Sequence, residues 1–105
     1  MEFNSEKERE TVLIYFNRPP KPVFFTLNGN KPRVVVDIID VFNKKFTPYT
    51  PVAGRFIKGI RSYMHRNPEK LRIVLDLVPG KDYQVGEIRH PEGSLYGIEI
   101  HEVIP

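Results

Sequence analysis

Residues 33–38 read R-V-V-V-D-I, and residues 72–77 read R-I-V-L-D-L. Successive side chains of a β-strand point to opposite faces, so each stretch separates into two sets of residues. One set is identical between the stretches: Arg33, Val35 and Asp37 in the first, and Arg72, Val74 and Asp76 in the second. The other set keeps only its aliphatic character, as expected of side chains that fill a core by volume. The pattern predicts two related strands, each with an apolar inner face and an Arg–Val–Asp outer face.

The composition favours a single domain built from short strands. The chain has 105 residues, enough for a core of its own, with 10 prolines and 7 glycines to form turns. The absence of cysteine excludes disulfides, thiolate metal sites and a cysteine nucleophile. No apolar run approaches the roughly 20 residues of a membrane-spanning helix, and we expect no direct membrane insertion.

The charge balance indicates a mixed surface with a mild preference for anionic partners. Sixteen basic and 13 acidic residues give a net charge of +3. Residues 1–10 are polar and contain no signal peptide. We expect them to be a disordered leader or a cloning remnant, and the chain to be a fragment of a longer protein whose signal peptide lies elsewhere.

Hydrophobic alternation and turn residues predict a series of strands. The most regular ones are Thr11–Phe16, Val23–Leu27, Arg33–Ile39, Leu71–Leu77, Tyr83–Arg89 and Ser94–Val103. Residues 40–55 contain Pro48, Pro51 and Gly54 and predict a long loop or an irregular strand. Residues 55–66 fit either a helical stripe or a strand, and we favour a strand over Phe56–Tyr63. The prediction is an all-β domain over residues 11–105: a small sandwich of two antiparallel sheets with an internal pseudo-two-fold repeat and about seven to eight short strands.

The residue types that commonly serve in catalysis or metal binding form no recognisable pattern in this sequence. His65, His90 and His101 lack the spacing of a metal site. Ser5, Ser62 and Ser94 stand in no nucleophile motif, and the glycines form no phosphate-binding loop. We therefore expect no enzyme activity, no metal and no cofactor.

A nucleic-acid interface is the alternative suggested by the basic residues of one segment. These are Arg55, Lys58, Arg61 and Arg66, interleaved with Phe56 and Tyr63. A solvated basic face whose aromatic residues belong to the core explains the same pattern better. We expect no nucleic-acid partner.

The repeated outer face allows two interpretations. Arg and Asp on exposed strands can pair across neighbouring strands, stabilising the sheet by roughly 0.2–1 kcal/mol per pair. Alternatively, an arginine fork can bind a ligand carboxylate with two parallel hydrogen bonds, and an aspartate can accept from a hydroxyl or amide. The residues alone favour the first interpretation slightly.

Several of these motifs, in this order, resemble the AMIN domain of bacterial envelope proteins. Its first-half pattern is similar to Tyr15-Phe16-Asn17 followed by P-R-V-V-V-D-I at Pro32–Ile38. Its second-half pattern is similar to I-K-G-I-R at Ile57–Arg61 followed by L-R-I-V-L-D-L at Leu71–Leu77. The resemblance extends from Thr11 to Val103.

The resemblance implies a fold, a ligand and a location. The fold is a pseudo-symmetric β-sandwich with its motifs on the two outer sheet faces. The function is non-catalytic targeting, by peptidoglycan binding, of a periplasmic N-acetylmuramoyl-L-alanine amidase or a type IV pilus secretin to the cell wall. The alternative is a protein-interaction module that docks a secretin or another subunit of an envelope complex. The implied ligand-binding residues are Arg33, Val35, Asp37, Arg72, Val74 and Asp76, with Arg61 of the G-I-R segment as an addition.

Overall fold

The computed structural model describes residues 1–16, 20–39, 49–66, 69–90 and 94–103. Within these ranges the chain forms nine strands and no helix, so no helix there could cross a membrane. The strands are β1 (Glu2–Ser5), β2 (Arg9–Tyr15), β3 (Lys21–Leu27), β4 (Arg33–Ile39), β5 (Tyr49–Pro51), β6 (Ile57–Arg66), β7 (Glu69–Leu77), β8 (Tyr83–Arg89) and β9 (Leu95–Glu102).

The strands form two antiparallel sheets. One has four strands in the order β1-β2-β9-β8, and the other has five in the order β3-β4-β7-β6-β5. The predicted all-β architecture of two antiparallel sheets is confirmed, with nine strands in the described residues where seven or eight were expected.

The core lies between the sheets and follows from the alternation in the sequence. In β4, Val34, Val36 and Ile38 are fully buried, while Arg33 and Asp37 on the opposite face remain partly exposed. The other inner-facing residues of the core include Val12 and Ile14 of β2, Ile60 of β6, Leu71, Ile73, Leu75 and Leu77 of β7, and Tyr96, Ile98 and Ile100 of β9. Burial of one large aliphatic side chain contributes about 1.5–3 kcal/mol. In a helix these alternating aliphatic residues would point in several directions, and the energy of burying them together would be lost.

The two sequence repeats lie side by side in the five-stranded sheet. β4 pairs with β7 so that Arg33 is opposite Asp76, Val35 is opposite Val74 and Asp37 is opposite Arg72. A local two-fold axis therefore passes between the two valines and relates the hairpin β3–β4 to the hairpin β6–β7. The expectation that the motifs occupy the outer faces of both sheets is wrong. Direct pairing of β4 with β7 puts both copies on one outer face.

The first ten residues are not a disordered leader. β1 pairs with β2 from Glu2 opposite Leu13 to Ser5 opposite Glu10, and β2 already begins at Arg9. Composition misled the prediction because the ordering residue, Glu10, is charged and yet fully buried. The carboxylate of Glu10 accepts hydrogen bonds from Ser5 Oγ and from the backbone amides of residues 55–57. These bonds replace the apolar contacts that the segment lacks.

The ambiguous segment 55–66 is a strand, as favoured, and the helical alternative is wrong. β6 runs over Ile57–Arg66, with an irregularity in its pairing to β7 between Ile57 and Gly59. Within the segment 40–55, residues 40–48 lie outside the described residues, and Tyr49–Pro51 form the edge strand β5 against β6.

Candidate functional site

The candidate site is the outer face of the five-stranded sheet across β4, β7 and β6, which we call the charged face. Alternation along each strand directs one residue in two to this side, away from the core. The charged face comprises Arg33, Val35 and Asp37 of β4, Lys70, Arg72, Val74 and Asp76 of β7, and Arg61 and Tyr63 of β6. All seven residues that the sequence predicted for ligand binding lie here together.

Arg72 and Asp37 form a two-pronged ion pair across the local two-fold axis. Arg72 Nε donates to Asp37 Oδ1 at 2.8 Å, and Nη2 donates to Oδ2 at 2.9 Å. Lys70 Nζ lies 3.5 Å from the same carboxylate. The hydrogen bond from Arg72 lowers the pKa of Asp37 despite its partial burial, and the same bond raises the pKa of Arg72. Both groups are therefore charged at neutral pH and occupied with each other.

Asp76 is bound by Arg61 and not by the arginine directly opposite it. Arg61 Nε and Nη2 donate to the two carboxylate oxygens of Asp76 at 2.8 and 2.9 Å. Arg61 Nη1 also donates to Tyr63 Oη at 3.3 Å. The hydrogen bond to Asp76 raises the pKa of Arg61. This diagonal pair fixes Arg61, which was only an added candidate at the sequence level, on β6 beside Asp76.

Arg33 is consequently left without an acidic partner among the described residues. It lies opposite Asp76 in the sheet, but its Nη1 donates to the backbone carbonyl of Lys31 at 2.9 Å. Strict two-fold symmetry would pair Arg33 with Asp76, as Arg72 pairs with Asp37. Arg61 is opposite Val74 in the second hairpin, and Phe25 is opposite Val35 in the first, so the two residues are equivalent positions. The symmetry fails because only one of them is an arginine.

Arg33 also borders an open cleft of about 500 Å³ at one end of the sheet. The cleft lies between the β3–β4 turn and the β7–β8 turn, and Lys81 and Tyr83 line its other side. Gly29 and Gly80 give these turns their shape, with φ of 108° and 85°, backbone conformations that favour glycine. The cleft therefore brings two basic residues, Arg33 and Lys81, and one acidic residue, Asp82, to one opening.

Val35 and Val74 face outward but are not available to a ligand. Their exposed fractions are only 4% and 5%. Their identity in the two repeats follows from their position beside the local two-fold axis, where each valine is the other's cross-strand neighbour. They support the charged face without forming its surface.

Sequence reasoning missed two exposed tyrosines beside the predicted residues. Tyr49 of β5 is opposite Arg61 and is 52% exposed, and Tyr63 is two residues beyond Arg61 and is 45% exposed. Strand alternation from Arg61 would have placed Tyr63 on this face. No comparable pattern in the sequence indicates Tyr49, because its three-residue strand is too short to show alternation.

The arrangement presents ionic and aromatic groups on the outer face of one sheet. The described residues contain no group of three or more side chains that could hold a metal ion. Ser62 is buried, and His101 contacts Glu99 on the other sheet. Ionic and aromatic groups on a flat sheet can instead contact an extended polar ligand. Comparison of the chain with known protein families, curated proteins and solved structures gave no match.

Proposed function

We propose that this chain is an AMIN-type domain that binds peptidoglycan through the charged face and is not itself catalytic. In this role it would localise a larger protein of the periplasm, either an N-acetylmuramoyl-L-alanine amidase or a type IV pilus secretin, at the cell wall. The motif resemblance supports the family. The observation that carries the binding proposal is Arg33, a guanidinium beside an open cleft whose only described hydrogen-bond partner is a backbone carbonyl.

The chemistry of peptidoglycan suits this unpaired arginine. Its stem peptides carry carboxylates, and an arginine fork binds a carboxylate through two parallel hydrogen bonds. A hydrogen bond that involves a charged group contributes about 1.5–3 kcal/mol. Arg61 and Arg72 already have such partners, so a ligand carboxylate would have to displace Asp76 or Asp37 to reach them. Arg33 needs no such exchange.

Sedimentation with purified sacculi tests this proposal. We expect the domain to sediment with sacculi and Arg33→Gln to lose most of that binding. Arg72→Gln should lose less, because its guanidinium is already occupied by Asp37. Lys7→Gln is the matched control, since it removes one positive charge from the β1–β2 turn of the other sheet. Failure of the unaltered domain to sediment would contradict peptidoglycan binding.

A second candidate function, docking of another envelope protein, is favoured by the edge strand β3. Val23 is 59% exposed, and Phe25 and Leu27 also present their side chains to solvent. No strand among the described residues pairs with the second edge of β3. An extended partner segment could pair with that edge. This function predicts an envelope-protein complex that Phe25→Ser disrupts, with sedimentation on sacculi unchanged in that variant, because serine removes the ring without placing a charge beside Arg33.

A further inference from the structure

Two exposed tyrosines flank Arg61 on the outer face of the five-stranded sheet. The proposed binding of stem-peptide carboxylates by Arg33 gives these tyrosines no role. Tyr49 is the cross-strand neighbour of Arg61, and Tyr63 follows Arg61 by two residues on β6. They are thus diagonal neighbours, with Cα atoms about 7–8 Å apart. Exposing two aromatic side chains on one face of the sheet forgoes the burial energy that each could contribute.

Each ring is held by its surroundings in a defined position. Tyr49 lies over Gly59, where a Cβ atom would come within 2.9 Å of both Cε1 and Oη of the tyrosine. The absence of a side chain at Gly59 therefore makes room for the ring. Tyr63 Oη accepts a hydrogen bond from Arg61 Nη1, and Arg61 is itself fixed by Asp76. A ring that is ordered in advance, as the hydrogen bond to Arg61 orders Tyr63, loses little entropy when a ligand binds.

The tyrosine pair fits a sugar ring better than it fits a charged peptide. The face of an aromatic ring carries partial negative charge, which attracts the C–H groups on the flat side of a pyranose. Arg61 between the rings has an N–H group directed to Tyr63 and can also donate to a hydroxyl or an N-acetyl oxygen. Rings on either side of Arg61 can contact separate sugars of one chain.

We infer that Tyr49 and Tyr63 form a stacking site for the N-acetylated glycan strand. This inference rests on the proposed peptidoglycan binding and divides the charged face into two parts. Arg33 and the cleft bind the carboxylates of the stem peptides, and the tyrosine pair binds the uncharged polysaccharide. The glycan subsite accepts a polymer of N-acetylglucosamine that carries no peptide.

Titration with chitotetraose, an uncharged tetramer of N-acetylglucosamine, tests the inference by amide chemical-shift perturbation of the whole chain. We expect the shifts to centre on β5 and β6. Tyr63→Ala and Tyr49→Ala should each weaken binding by up to about tenfold, and Tyr63→Phe should retain it because the ring face remains. Gly59→Ala should also weaken binding by displacing the Tyr49 ring.

Tyr15→Ala is the matched control. Tyr15 is exposed to nearly the same extent as Tyr49 but lies on the four-stranded sheet. An unchanged dispersion of amide resonances will show that each variant is folded. Sedimentation on sacculi without any response to chitotetraose would overturn the inference and leave the proposed function standing. Binding of chitotetraose that is equally strong in both tyrosine-to-alanine variants would also overturn it. Failure with both ligands would reject the proposed function itself.

Discussion

Glu10 is a charged residue that joins the two sheets from a fully buried position. Its carboxylate accepts hydrogen bonds from the backbone amides of Arg55, Phe56 and Ile57 at 2.6, 2.9 and 2.7 Å. Ser5 Oγ donates a fourth at 2.6 Å. Burial alone would raise the pKa of Glu10, but these hydrogen bonds outweigh it and hold the pKa below its ordinary value.

Glu10→Gln should therefore destabilise the fold by about 2–3 kcal/mol. Glutamine replaces one carboxylate oxygen by an NH2 group, and this donor would face N–H and O–H groups that are themselves donors. A lowered pKa in the folded state also makes stability depend on pH. The contribution of Glu10 is present above its unfolded-state pKa and is lost as pH falls through its lower folded-state pKa. Chemical denaturation at several pH values checks both points. Glu10→Gln should show a weaker loss of stability in acid, and an unchanged acid dependence would contradict this account.

At the level of elements, the charged face results from antiparallel pairing of two related hairpins, of which one carries Phe25 where the other carries Arg61. The shared Arg and Asp residues indicated the outer face correctly from sequence. Which arginine pairs with which aspartate was not predictable, because it depends on the register of β6 against β7. Arg61 reaches Asp76 because the register of β6 makes the two residues diagonal neighbours on adjacent strands. Phe25 in the equivalent place in β3 can make no such bond.

Phe25→Arg should restore the symmetry and provide a second unpaired arginine. The introduced guanidinium can compete for Asp37 as Arg61 competes for Asp76, which would free Arg72. We expect sedimentation on sacculi to increase severalfold. Phe25→Gln, which removes the ring without adding charge, serves as the control. Equal sedimentation of the two variants would show that an unpaired arginine on this face does not determine binding.

For the whole molecule, regular strands were predictable from sequence and exceptions to regularity were not. β4 and β8 begin and end at the residues that the sequence predicted. β1 was missed because its order depends on pairing with β2 and on Glu10, neither of which periodicity reveals. The exposed tyrosines were missed for a related reason, since aromatic residues are expected in a core.

The net charge of +3 and the division of the charged face predict different responses to salt. Binding to sacculi through Arg33 should weaken as ionic strength rises from about 0.05 to 0.5 M, because salt screens exposed charges. Binding of uncharged chitotetraose should change little over the same range. Parallel titrations at three salt concentrations measure both. An equal loss for the two ligands would mean that one electrostatic site binds them both.

Pairing of β4 with β7 also limits the number of polymer strands that one domain can bind. A strand of polymer that lies across these neighbours meets both copies of the repeated motif at once, from the same side. One molecule should accordingly occupy one polymer strand and should not cross-link two. Mixed with soluble glycan chains, the domain should form saturable complexes that stay in solution, without a precipitate at equivalence.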